Sequence, residues 1–118
     1  MSSTERWEQS AAYFLDTHPR VHSFAKNAGL GFAIPYLHNG QSHDYVPDFI
    51  ARLENSGGES FMIVETKGYD PLREIKQQAA LRWVSAVNSD GTFGHWAYAM
   101  VSRPEDIPGA IERAAKSH

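Results

Sequence analysis

Hydrophobic and polar positions along this chain change their period several times, and each change marks an element. Over residues 3–16 the apolar side chains of Trp7, Ala11, Phe14 and Leu15 recur every three or four positions, the spacing of one helix face. His18-Pro19 ends that run, and Ser2 or Ser3 supplies a side-chain oxygen to cap its first turn. From residue 21 to 37 the pattern shortens to extended runs, 21–24 and 31–36, split by Asn27-Ala28-Gly29. Asn39-Gly40 then signals a tight hairpin turn. Residues 45–53 and 61–67 are rich in β-branched and aromatic side chains and read as two strands joined by Asn55-Ser56-Gly57-Gly58. The helical period returns with Leu72, Ile75, Ala79, Trp83 and Val87 on one face, Asp70 as cap and Pro71 in the first turn. Residues 88–94 predict a loop, 95–101 a strand, and Pro104-Glu105-Asp106 the start of a last helix. Helix, three or four strands, helix, strand, helix predicts an α/β chain of the α+β kind, a mixed sheet covered by helices.

Composition narrows what such a chain does. Its 118 residues predict one domain, 1–118, and 42% hydrophobic residues suffice for a core without staples. Eleven Lys plus Arg against fourteen Asp plus Glu leave a charge of -3, so there is no basic excess to grip a polyanion from afar. Contact with nucleic acid must then be local, or shared with another polypeptide. The lack of cysteine excludes disulfides, thiolate zinc sites and Cys nucleophiles, and fits a reducing cytoplasm. No stretch approaches the roughly 18 apolar residues of a membrane span, so no membrane role is expected.

The chemistry concentrates in the two middle strands. If Ser56-Gly57 is a two-residue turn, partner numbers keep a constant sum, which sets Asp48 opposite Glu65 and Ile50 opposite Ile63. Opposed carboxylates in otherwise apolar strands are unfavourable without a cation. Lys67 follows Glu65 by two positions, so the strand period returns it to the same face. Two hard oxygen donors suit Mg²⁺, or Mn²⁺ in its place, and an adjacent ammonium suits hydrolysis of a phosphodiester. The plainer reading of the trio is a solvated charge cluster at a strand end.

These residues resemble a known group. Residues 45–50, Tyr-Val-Pro-Asp-Phe-Ile, and 63–68, Ile-Val-Glu-Thr-Lys-Gly, look like the motif of the PD-(D/E)XK nuclease superfamily. The nearer likeness is to the C-terminal endonuclease domain of type III restriction enzyme Res subunits, and takes in residues 26–36 and 79–88 as well. The resemblance implies a restriction-endonuclease-like αβββαβ core with a C-terminal helix, and metal-dependent endonucleolytic cleavage of duplex DNA within a restriction system. It further implies Asp48 and Glu65 as Mg²⁺ ligands, the Thr66 backbone carbonyl as a third, and Lys67 as the catalytic lysine. The partners it implies are DNA, a helicase or ATPase region or subunit, and a modification methyltransferase. The motor's phosphate-binding loop, G-x-x-x-x-G-K-S/T, is missing from this sequence.

Further candidates carry weaker signals. Glu8 sits at the edge of the first helix's apolar face and is a candidate catalytic acid, or an ordinary rim glutamate. Lys76 lies within the apolar face of the second long helix, spaced by four from Leu72 and Ala80, and either serves the site or snorkels to water. The Thr66 side chain is expected on the opposite sheet face. The six histidines show no metal-binding spacing, Asn27 reads as a turn residue, and Trp83, Trp96 and Tyr98 as packing aromatics. Two other functions stay open on sequence: a repair or structure-specific nuclease of the same fold, and a non-enzymatic DNA-binding or interaction module.

Overall fold

Each change of period forms an element, in the order α1 (Ser3–Thr17), β1 (Val21–Lys26), β2 (Ile34–His38), β3 (Gln41–Tyr45), β4 (Phe49–Leu53), β5 (Ser60–Thr66), α2 (Arg73–Asp90), β6 (His95–Val101) and α3 (Ile107–Lys116). The structure is a computed structural model that describes residues 3–27, 30–54, 60–66 and 71–116. The expected 56–57 turn, Lys67, Asp70 and the Trp7 side chain lie outside the described residues.

Four strands make a mixed sheet in the order β1-β4-β5-β6. β1, β4 and β5 run antiparallel, while β6 lies parallel to β5, which requires the crossover that α2 provides. One face buries Phe49, Ala51, Met62 and Val64 against Leu15 of α1 and Ile107 and Ile111 of α3. The other buries Ile63 against Ala79 and Ala80 of α2 and against Ile34, Tyr36 and Tyr45. The chain is therefore a mixed α/β fold with helices on both faces of its sheet.

β2 and β3 leave this sheet and pair only with each other, as a ribbon turning at Asn39 (φ 54°) and Gly40 (φ 74°). Positive φ at both positions is what a two-residue hairpin needs, and Asn-Gly accepts it readily. The ribbon corrects the expectation of one strand over 45–53. Tyr45 pairs with Ile34, and the sheet resumes only at Phe49. Pro47 has no N–H to give a ladder and is buried in the break.

Two helix boundaries also differ from the pattern. α2 begins at Arg73 rather than beside Pro71, its N-cap being Leu72 with no side-chain cap bond. At the other end it runs past Val87 to Asp90, where Gly91 at φ 77° donates its N–H to the Val87 carbonyl. Asn88 is thus helical rather than in a loop. Its side chain accepts from Trp96 N–H (2.7 Å) and donates to Trp96 O (2.8 Å), tying α2 to β6. Replacement of Asn88 by Ala is expected to lower stability by about 1–3 kcal/mol, read from urea unfolding. Pro104–Asp106 forms a 3₁₀ turn ahead of α3, and 95–101 is a strand as predicted. Among the described residues no helix is long and apolar enough to cross a membrane.

Candidate functional site

The register at β4 and β5 is the one the constant sum requires. Ile50 pairs with Ile63 and Phe49 with Val64, so the next step brings Asp48 beside Glu65. Asp48 sits in a bend just outside the ladder. Its backbone N–H donates to Glu65 Oε1 at 2.9 Å. Its Oδ2 accepts from the Thr66 N–H at 2.9 Å and from the Thr66 hydroxyl at 2.6 Å.

The last bond corrects the expectation that Thr66 turns its side chain away from the site. Strict alternation holds within a ladder, but Asp48 has left it and its carboxylate swings across the end of β5. There the Thr66 N–H has no strand opposite it, and a carboxylate is a strong acceptor for both the amide and the hydroxyl.

Glu65 is half-buried, and its carboxyl is pushed up to about 8. Burial contributes most, followed by hydrogen bonding to Asp48 and the Asp48 charge, while the Tyr45 hydroxyl and the Asp48 N–H act in the opposite sense. Glu65 therefore holds its proton at neutral pH beside Asp48, and the pair does not meet as the two repelling anions that the sequence suggests.

Behind them stand two tyrosines, Tyr45 from the start of the expected strand 45–53 and Tyr98, which the sequence assigns to packing. The hydroxyls of Tyr45 and Tyr98 lie 2.9 Å apart, and Tyr45 neighbours the Glu65 carboxyl. Burial first, and the neighbouring Glu65 and Asp48 charges, push Tyr98 up to about 12; burial raises Tyr45 further. Both stay protonated, and one hydroxyl donates to the other. Nothing in the spacing of Tyr45 and Tyr98 marks them, because they meet only after the ribbon folds over the sheet.

Lys76 is half-buried, with Nζ 5.8 Å from the centre of the Tyr45 ring, a cation over an aromatic face. The structure thus sets it against Tyr45, whose hydroxyl neighbours Glu65. Glu8 is held by an ion pair with Lys26, Oε1 to Nζ 2.7 Å. Trp83 and Trp96 pack edge to face at 5.1 Å, and Phe61 stacks on Trp96 at 4.8 Å, in the structural role expected of the tryptophans. Two of the histidines have partners elsewhere: His43 stacks on Tyr36 in the ribbon, and His18 meets Glu112 at 3.3 Å.

Among the described residues no group of three His, Cys, Asp or Glu side chains is placed to hold a metal. The site offers two carboxylates, with the Thr66 carbonyl as the further donor in the implied set. That donor chemistry fits Mg²⁺, which keeps several waters and takes few protein ligands. Comparison with protein-family models, with curated proteins and with solved structures returns no match for this chain.

Proposed function

We propose that this chain is a divalent-metal-dependent endonuclease domain of the PD-(D/E)XK kind, which hydrolyses DNA phosphodiester bonds as part of a restriction system. The observation that carries the reading is the carboxylate pair: Asp48 and Glu65 face each other at the ends of adjacent strands, bonded through the Asp48 N–H. With the ribbon set aside, the elements run helix, strand, strand, strand, helix, strand, then a C-terminal helix, an order consistent with the core that the resemblance implies.

Asp48, Glu65 and the Thr66 carbonyl would hold Mg²⁺, which when bound supplies Lewis acidity toward a phosphoryl oxygen and a more acidic water. Thr66 orients the Asp48 carboxylate through its amide and hydroxyl. The neighbouring Tyr45 hydroxyl favours the ionised form of Glu65, in which it serves as a ligand. Lys67, two residues beyond Glu65, is the ammonium proposed to stabilise charge on the phosphoryl group or to orient the water. With a chain charge of -3, the grip on DNA falls to a partner, an ATP-driven motor or DNA-binding subunit, with a methyltransferase protecting the host's own DNA.

Calorimetric titration tests the ligand set. Mn²⁺ is expected to bind the purified chain at one site, more tightly than Mg²⁺, and Asp48→Asn or Glu65→Gln is expected to weaken it by about 10-fold or more. Binding unchanged in both variants would remove the site from the proposal.

A further inference from the structure

We infer that Asn27 is the positioning residue for Asp48, closing the neck of the β2–β3 ribbon so that the carboxylate is held over the end of β5. The inference rests on the reading of Asp48 as a metal ligand. The chain departs from the sheet after Lys26 and returns at Phe49, and these two residues are the last pair of the β1–β4 ladder. The described residues between belong to the ribbon and its two arms, so Asp48 stands at the root of an excursion with no ladder partner of its own.

Asn27 spans that root. It is 5% exposed, and its side-chain amide donates both to Phe32 O on the outgoing arm (2.9 Å) and to Pro47 O on the returning arm (3.1 Å). Its backbone N–H donates to Asp48 O at 2.8 Å. The carbonyls on both sides of the Asp48 Cα are therefore fixed by one residue. Peptide units are planar, so fixing the two units that flank a Cα fixes its φ and ψ. The Asp48 N–H bond to Glu65 adds a third restraint, and only the side-chain torsions are left for Thr66 to set.

The orientation of the Asn27 amide follows from its surroundings. Both of its neighbours are carbonyls, so Nδ2 must face them. Oδ1 is then buried with no hydrogen-bond partner among the described residues. An unsatisfied buried acceptor is destabilising, and it persists here because the two donors opposite it close the neck. Aspartate in this place would set a carboxylate against two carbonyls, and alanine would offer no donor. Sequence alone reads Asn27 as a turn residue, because its partners are five and twenty positions away.

Asn88 provides a matched control: its side chain also makes two bonds to backbone, but to Trp96, which pairs with Phe61 at the start of β5. The experiment compares Asn27→Ala with Asn88→Ala in the full chain, using amide hydrogen exchange without metal and Mn²⁺ titration. In Asn27→Ala the Thr66 amide is expected to exchange about 10-fold faster relative to the rest of β5, since its acceptor is no longer held, and Mn²⁺ to bind about 10-fold more weakly. In Asn88→Ala both readouts are expected to stay at the wild-type level. If Asn27→Ala does not fold, Asn27→Ser, which keeps a short donor, is expected to show the same two changes at smaller size. Wild-type exchange at Thr66 in the Asn27 variants, or equal effects from Asn88→Ala, would overturn the inference. Failure of the wild-type chain to bind Mn²⁺ through Asp48 would instead count against the metal site, with Thr66 exchange still deciding what Asn27 does.

Discussion

Metal-free protein is expected to lose stability as the pH rises from about 5 to about 8, and Glu65→Gln is expected to remove most of that loss. Glu65 is raised from an ordinary 4.5 to about 8 in the folded chain, so between these values the native state binds a proton that the unfolded state has released. Stability then falls with rising pH throughout that window and levels off above it. The full contribution is present below pH 4.5 and is lost as the pH passes through 8. Allowing for screening of a half-buried pair, its size is on the order of 3 kcal/mol. Glutamine imitates the protonated acid: its oxygen accepts the Asp48 N–H while its amide donates to the Asp48 carboxylate. The variant should therefore match the wild type at pH 5 and exceed it at pH 8, in urea unfolding with a chelator present. A wild-type stability that rises across the same range would contradict the assignment of Glu65. Asp48→Ala differs in kind, because it strips the Thr66 amide and hydroxyl of their acceptor; it is expected to cost about 1–2 kcal/mol.

Asp48→Asn and Glu65→Gln are each expected to lower Mg²⁺-dependent DNA cleavage by on the order of 100-fold or more while the fold persists. Each keeps the shape of the side chain and removes the charge that a divalent cation requires. Because Glu65 holds a proton near neutral pH, cleavage by the wild type should also climb between pH 6 and 8, as the ligand becomes free to ionise. The climb runs opposite to the stability profile, so loss of folded protein cannot produce it. Initial rates on a supercoiled plasmid, with the fraction folded checked at each pH, separate the two effects.

Much of this arrangement was legible in the chain. The pairing of Asp48 with Glu65 is what the sequence expects from Ser56-Gly57 and the strand period, and the ladder keeps the register they imply. The helix faces built on Ala11 and Leu15 and on Ala79 and Ala80 follow from the same kind of repeat. What could not be read is whatever the ribbon creates. Residues 45–53 look like one continuous strand because Val46-Pro47-Asp48 is flanked by apolar residues, and only the preference of Tyr45 for Ile34 reveals the break. Once the chain folds back at that break, Asn27, Tyr45 and Tyr98 gather around the carboxylates from three separate segments. No periodicity encodes that meeting. Thr66 was misjudged for a related reason: alternation predicts the face of a side chain inside a ladder, and its partner Asp48 lies outside one.

Once it is brought to DNA, this chain is expected to cut it. At -3 the free domain meets a polyanion slowly, and its carboxylates repel phosphate until a cation binds, so the isolated chain is a poor test. Fusing it to an unrelated sequence-specific DNA-binding module raises its local concentration without altering the chemistry. With Mg²⁺ or Mn²⁺ the fusion is expected to cleave plasmid DNA near the bound sequence, and Lys67→Ala is expected to abolish the cleavage. A wild-type fusion that binds its sequence and leaves the DNA intact with either metal, or a Lys67→Ala fusion that cuts equally well, would contradict the nuclease assignment.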